Sequence, residues 1–551
     1  MVLKQRPPLL LTITTAVLIV LGGTAAYLGI GQRFSPKPKL PAGVELVPGD
    51  ALVALTLTTD DNQWTRLRQL GSPESQKLLD RWLVKWRDRI ITANGYRFRT
   101  DIQPWIGDQI TVAFLPRASD SKNATELVAI VPIADAAKAQ ELMTEPQDGT
   151  RTDRNYQDIA IQTITTTNGE TYETTVLANK WLVIASNAKG VEAVIDSFSG
   201  NSASLATDDA YRRAFGYVHM PSAMANIYIN APVAAEVLLG SETLPGINGM
   251  VATANLLPNG LDIEATTWLG PEDQPVYRDL TNTRSSTPQR LPESTVMMLS
   301  TSGIGPMWQS LSEAEQLKTM LPISVDALTR GLKDQTGLDL ENDVLPWLAG
   351  EFAVGLLPPA DITDSPVPMG QLALVAEVSD REAAETTWTQ LDEAMVSRFR
   401  FEVDPQQINS QPVNRLVSFY GGISMGHGWL DKDVTFFGMG PEVLSAIAPR
   451  PNKSLKANRA FQTLLDISPQ ESSGYFFLDV DRLNDLQGTI PFPTVPDGAL
   501  FSAVKSLGIT TSVKDERNLR YDIFVELPKG RRVKPLAGGS ISQDLQDPVE
   551  E

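Results

Sequence analysis

Residues Asp101–Pro116 read DIQPWIGDQITVAFLP, and residues Asp343–Pro358, 242 positions later, read DVLPWLAGEFAVGLLP. Both put an aspartate ahead of Pro-Trp and follow it with a run of apolar, strand-forming residues. Proline presets the turn by fixing its own φ, and an aspartate just upstream caps it. The indole buries a large apolar area and asks for one hydrogen-bond partner. The unit reads as turn, anchor and strand, written twice.

The match spreads in both directions. VPGDALVALTLTT (Val47–Thr59) lines up with LPESTVMMLSTSG (Leu291–Gly303), which sets Trp64 opposite Trp308. ELVAIVPIADAAKA (Glu126–Ala139) lines up with QLALVAEVSDREAA (Gln371–Ala384). Further on, LATDDAYRRAF (Leu205–Phe215) matches LKANRAFQTLL (Leu455–Leu465), and ANIYIN (Ala225–Asn230) matches GYFFLD (Gly474–Asp479). Collinear matches at so long a period indicate a tandem domain duplication, not a solenoid. Trp64, Asp101, Pro104, Trp105, Trp308, Asp343, Pro346 and Trp347 form its signature, with core packing as the expected role of the tryptophans.

The duplication sets the expected organisation. Residues 1–8 are a short basic head, 9–30 a transmembrane helix and 31–43 a proline-rich stalk. Module one spans 44–270, a polar linker 271–290, module two 291–528, and a disordered tail 529–551. The segment Leu9–Ile30 is free of charge, and at 1.5 Å per residue a helix of that length crosses a bilayer core of roughly 30 Å. A cleaved signal peptide is the alternative, with Thr24-Ala25-Ala26 as a weak site. The apolar run continues past that site, which favours a retained anchor.

Within a module, strand-like runs such as ALVALTLTT, ITVAF and WLVIAS alternate with helices. The clearest helix is Ser72–Ile91, with Ser72 as N-cap and Pro73 in the first turn. Leu78, Leu79, Trp82, Leu83, Trp86 and Ile90 are its expected buried face. The expected fold class is therefore α+β: a transmembrane helix, then two homologous tandem modules of largely antiparallel sheet with packed helices.

The chain of 551 residues has a formal net charge of −19, yet its first 40 residues carry five basic side chains and no acidic one. An acidic globular part disfavours nucleic acid, since phosphate contacts need a basic surface. With no cysteine and two histidines, disulfides, thiolate metal sites and cysteine nucleophiles are excluded, and His-dependent sites are disfavoured.

Gly422-Ile423-Ser424-Met425-Gly426 has the form GxSxG, with His427 beside it. A nucleophile elbow needs a strand, a sharp turn and a helix, with a histidine arriving later in the chain. The residues after this motif read as turn and strand, so it is expected to be a decoy within a glycine-rich hairpin. The carboxylates Asp60-Asp61, Asp208-Asp209 and Asp479, Asp481 and Asp485 lack the glycine and glutamate of a calcium loop. They read as strand ends, and no metal or cofactor is expected. Arg81, Lys85, Arg87 and Arg89 on the Ser72–Ile91 helix are a solvated face, or else a contact with lipid headgroups or a partner.

A single N-terminal span, a proline stalk, and LPAGVELVPGDALVALTLTT (Leu40–Thr59) leading to the first Pro-Trp segment together resemble a family widespread in cyanobacteria. That family is known only as a domain of unknown function, and the resemblance covers Leu40–Leu527. It implies a single-pass protein of the bacterial inner or thylakoid membrane, its folded part in the periplasm or lumen, and brings no catalytic residues. The expected function is non-enzymatic: a membrane-anchored binding or scaffolding protein with an unknown protein partner, assisting assembly of envelope or photosynthetic complexes. The alternative is a carrier holding a lipid or pigment in an apolar cleft of each module.

Overall fold

The computed structural model describes residues 40–90, 97–116, 125–144, 150–165, 171–218, 223–234, 247–272, 277–278, 281–304, 308, 325–348, 350–358, 371–418, 424–440, 442–484 and 503–530. The expected span Leu9–Ile30 and most of the stalk lie outside the described residues. Among the described residues, no helix is long and apolar enough to cross a membrane. The fold is α+β, antiparallel strands with helices laid on them.

The chain forms two compact units, one built mainly from Lys39–Arg212 with Ser222–Tyr228 and the chain from Pro528, the other from Arg213–Pro221 and Ile229–Leu527. In the first, β1 (Val53–Thr58) pairs antiparallel with β2 (Gln109–Pro116), β2 with β3 (Thr125–Pro132) and β3 with β7 (Trp181–Ala185). Strands β6 (Thr171–Leu177), β5 (Ile159–Thr165) and β4 (Thr150–Tyr156) continue the sheet, and β8 (Ala225–Asn230) lies on the other edge of β1.

The second unit repeats this strand order. Its run is β18 (Gly474–Asp479), β11 (Met297–Thr301), β12 (Phe352–Leu357), β13 (Gln371–Glu377), β17 (Val434–Met439), β16 (Ser424–Asp431), β15 (Gln411–Ser418) and β14 (Phe401–Ile408). Beyond β18 come β19 (Ser506–Asp515) and β20 (Asn518–Glu526), then β10 (Gly260–Leu269) and β9 (Ile247–Leu257). The hairpin β9–β10 turns at Pro258-Asn259 as its sequence suggests, but it belongs to the second unit. The reason is register: β10 pairs with β20 from Gly260↔Glu526 to Trp268↔Asn518. By contact, Ile229–Leu527 belongs to one compact unit.

The expected polar linker is likewise part of the second unit. Tyr277 is buried, and Thr283 and Ser472 exchange backbone hydrogen bonds of 2.8 and 2.9 Å. The Glu351 carboxylate accepts from the hydroxyls of Ser285, Ser286 and Thr287 and from the Ser286 backbone N–H. The expected disordered tail begins in order: Gly71 N–H donates to Pro528 O and Gly530 N–H to Gln69 O, both at 2.8 Å. Residues from 531 lie outside the described residues.

Helices open on the side chains that favour caps. Asp60 caps α1 (Asp61–Leu67) through Asn62 N–H, and Ser72 Oγ accepts from Ser75 N–H at the start of α2 (Pro73–Ile90). Asp135 receives the Lys138 N–H in α3 (Ala136–Thr144). Asn187 caps α4 (Ala188–Ser199), which ends on left-handed Gly200, φ +76°. The helix α5 (Asp209–Gly216) comes next. In the second unit come α6 (Val325–Thr336), α7 (Arg381–Phe399) capped by Asp380, α8 (Val443–Ile447) and α9 (Arg459–Ile467) capped by Asn458. A core of this unit lies between the sheet and α8 and α9, where Ala353, Ala373, Val375, Phe436, Leu444, Phe461 and Phe477 are all buried.

Candidate functional site

The two Pro-Trp segments adopt one geometry. Each comes after a single wide helical turn, Phe98–Ile102 or Leu340–Val344. The Asp101 carboxylate accepts from Arg97 N–H at 2.7 Å, and Asp343 accepts from Asp339 N–H at 2.7 Å. Trp105 and Trp347 donate their indole N–H to the carbonyls of Asp101 and Asp343, 2.8 Å in each case. Their own carbonyls receive Ala134 N–H and Ser379 N–H, just before α3 and α7. Hydrogen bonds from the Thr100 hydroxyl and the Arg97 backbone hold the Asp101 carboxyl below its usual range. Pro104 and Pro346 are exposed, whereas Trp105 and Trp347 are 4% and 3% exposed. These residues join turn, strand and helix. Trp64 and Trp308 depart from the expected core role. Both are only half-buried; Trp64 donates to Thr58 O at 2.9 Å, and Trp308 Nε1 has no partner among the described residues.

The expected buried face of α2 is also corrected. Leu78 is 37% exposed, and Leu79, Trp82 and Leu83 are half-buried. The buried side chain is Gln76, which donates to Arg68 O, while Arg68 forms an ion pair with Asp80 at 2.6 Å. The polar elbow between α1 and α2 claims the face that apolar spacing would have buried. Arg81 and Lys85 are exposed; the side chains of Arg87 and Arg89 lie outside the described residues, as do Trp86 and Ile90. Of the remaining carboxylates, Asp208 and Asp479 serve caps, receiving Tyr211 N–H and Arg482 N–H, while Asp61 pairs with Arg99 at 2.7 Å. Asp485 lies outside the described residues.

Ser424 and His427 sit on β16, three residues apart, so their side chains point to opposite faces of the sheet. His427 is buried, its Nε2 2.8 Å from Asp392 Oδ1, and its ring stacks on Trp388 of α7 at 4.7 Å. Asn414 donates to the other oxygen of Asp392 at 3.3 Å. Trp388 also stacks on Phe437 and donates to Thr435 Oγ1. This cluster fastens α7 to the sheet. Ser424 shares its face with Gly426 and Gly428, and the glycines have a packing reason. A Cβ on Gly426 would lie 2.8 Å from Leu444 Cδ1 and 2.9 Å from Asn414 O, and one on Gly438 2.7 Å from Val443 Cγ1. The glycine-rich spacing lets α8 lie close on the sheet. Gly422 and Ile423, and the other histidine, His219, are outside the described residues.

The sheet faces differ in a way that the motif search missed. One face is sealed by α8 and α9. Across the other, cross-strand partners form an unbroken apolar row: Phe476, Leu299, Val354, Leu374 and Phe437. A second row adds Met297, Leu372, Met439 and Met425. These side chains are half-buried, and Leu299 is 37% exposed. Part of this face is covered: Val354 and Leu374 pack against the cluster around Trp347, Phe352 and Trp388, and Phe437 stacks on Trp388. Leu299, Phe476 and the methionines are not part of that cluster, and a water-facing side of an antiparallel sheet ordinarily carries polar residues at such positions. The first unit repeats the pattern with Leu55, Val112, Ala129 and Ile184 in one row and Phe114 beside Leu127, 40% exposed. The signal was present as continuous apolar runs, such as LALVA and TVAFL, in place of strict alternation.

A family model described as "Protein of unknown function (DUF3352)" matches residues 11–527. No curated protein matches the chain. Among solved structures, crystal form I of TP0453 is 13% identical with a TM-score of 0.24, covering 43% of this chain and 81% of that one. Crystal form IV of TP0453 is 12% identical with a TM-score of 0.26, covering 43% and 82%.

Proposed function

The chain belongs to the DUF3352 family of proteins of unknown function, and from that premise we propose that it is a non-enzymatic, membrane-tethered binding protein for a long-chain apolar molecule, a lipid or pigment. One observation carries this reading: the half-buried apolar rows on one sheet face of each unit, of which Leu299 and Leu127 are the exposed members. Three methionines, Met297, Met425 and Met439, lie in those rows, and thioether side chains adapt to irregular apolar ligands.

Magnitudes constrain the ligand. Each methylene removed from water stabilises by about 0.8 kcal/mol, so roughly ten give about 8 kcal/mol. Association itself costs about 4–15 kcal/mol. A short chain therefore binds weakly, and a long acyl or isoprenoid chain is the ligand class that the surface suits.

The folded part is a tandem duplication with one apolar face per repeat. Support comes from the shared strand order and the matching Asp–Trp hydrogen bonds. The charge-free run Leu9–Ile30 is a retained anchor that places the folded part in the periplasm or lumen. Chloroform–methanol extraction of protein purified from its native membrane, followed by mass spectrometry, is expected to return an apolar long-chain species in near-stoichiometric amount. An empty extract, with no uptake of cis-parinaric acid by the delipidated protein, overturns the proposal. Protease protection in intact and opened cells tests the topology separately.

A further inference from the structure

The seam between β10 and β20 concentrates buried charge. Glu264 is the fifth residue of its strand and Asp522 the fifth of its own, and the two are direct cross-strand partners. Cross-strand partners share a face, so Thr253, Glu264, Asp522 and Thr510 form one row. Thr266, Arg520 and Ser512 form the next, with Asp262 on the far side of Glu264. Two equivalent positions thus bring two carboxylates together. The third residue of each strand would complete a symmetric pair of ion pairs, but it is Arg520 in β20 and Asp262 in β10.

One guanidinium therefore serves both carboxylates. Arg520 Nη2 lies 2.9 Å from Glu264 Oε1, its Nε donates to Asp522 Oδ1 at 3.0 Å, and its Nη1 donates to Tyr217 O at 2.7 Å. Lys514 of β19 is the other cation acting on the group. Asp522 is 1% exposed, and its Oδ2 has no partner among the described residues. The hydroxyls of Thr253 and Thr266, both fully buried, have none either. Three carboxylates face two cations where water is largely excluded, and unbalanced buried charge is costly. A proton is the smallest species that restores balance.

We propose that the β10–β20 seam is a proton-operated clasp, in which Glu264 and Asp262 take up protons to hold the two strands together and release them to loosen the pairing. Burial, opposed by Arg520 and reinforced by Asp522 and Asp262, pushes the Glu264 carboxyl up to about 7. Burial and Asp522 push Asp262 up to about 6. Burial raises Asp522 as well, against Arg520, and lowers the Lys514 ammonium. A carboxyl raised in the folded state favours folding fully below its unfolded value, and that contribution is lost as pH rises through the folded value. The clasp is accordingly tightest at about pH 4 and below, the ordinary carboxylate range, and loosens progressively as pH rises to about 6 for Asp262 and about 7 for Glu264.

Hydrogen exchange of the intact chain, measured at about pH 5.5 and about pH 8 and corrected for intrinsic rates, tests this. Segments Gly260–Leu269 and Asn518–Glu526 are expected to open on the order of tenfold more readily at the higher pH, as about one proton's linkage implies. Segments Met297–Thr301 and Phe352–Leu357 of the same unit serve as the reference. Glu264→Gln, which mimics the protonated state, is expected to remove most of the difference, and Asp262→Asn a smaller part. Seam protection independent of pH in the unaltered chain overturns the proposal, whether or not the variants fold. So does an Asp262→Asn chain, or a folded Glu264→Gln chain, with the full wild-type response.

Discussion

The turns at Trp105 and Trp347 share their backbone hydrogen bonds but not their surroundings. Among the described residues, Trp105 donates to Asp101 O alone, and it sits beside the nine-residue α3. Trp347 is 3.0 Å from Thr387 Oγ1, and Thr387 itself donates to Asp343 O at 2.8 Å. Its ring lies 6.2 Å from Trp388, on a helix of 19 residues. The turn is thus a self-contained unit, and the one at Trp347 carries extra support with the same backbone hydrogen bonds. Helix packing shows the same freedom. Close approach of α4 to the first sheet uses a glycine on the helix, Gly190, whereas α8 approaches through glycines on the strands, Gly426 and Gly438.

The most severe way to break this comparison is to remove the indoles. Trp105→Ala and Trp347→Ala are each expected to destabilise by about 3–5 kcal/mol, as large-to-small core substitutions do. Denaturant unfolding monitored by circular dichroism would measure it, and a loss below about 1 kcal/mol at either site would refute the anchoring role. The glycines separate next. Gly426→Ala meets the fixed carbonyl of Asn414 and should cost about 1–3 kcal/mol. Gly190→Ala has only side-chain neighbours at 3.1 Å and gains about 1 kcal/mol of helix propensity, so thermal melts should show little change.

The finest distinction concerns the indole N–H alone. Trp105→Phe leaves Asp101 O without the side-chain donor it had, and should cost about 1–2 kcal/mol. In Trp347→Phe the carbonyl of Asp343 keeps Thr387 as donor, so the loss should be smaller by about 1 kcal/mol. Equal losses would mean that Thr387 contributes nothing. Measuring both singly and with Thr387→Val closes a double-mutant cycle and isolates that contribution.

Much of this fold was legible because it is local. Asp101, Pro104 and Trp105 lie within five residues, as do Asp343, Pro346 and Trp347, and the caps at Ser72 and Asn187 act within three. The apolar face was half legible: LALVA says that both sides of a strand avoid water, but not which side a helix covers. Pairing across distance was not legible. Asp262, Glu264, Arg520 and Asp522 are ordinary charges until the register of β10 on β20 brings them together. Likewise, the apolar periodicity of α2 gave no sign that Gln76 and Arg68 would take the buried position.

The hydrogen bonds from Gly71 to Pro528 and from Gly530 to Gln69 have a practical consequence for labelling. They return the chain, after its long excursion through the second unit, to the unit that holds Lys39–Arg212. A fluorophore placed at Lys529 therefore reports on that unit, and distance measurements from it should be interpreted from there.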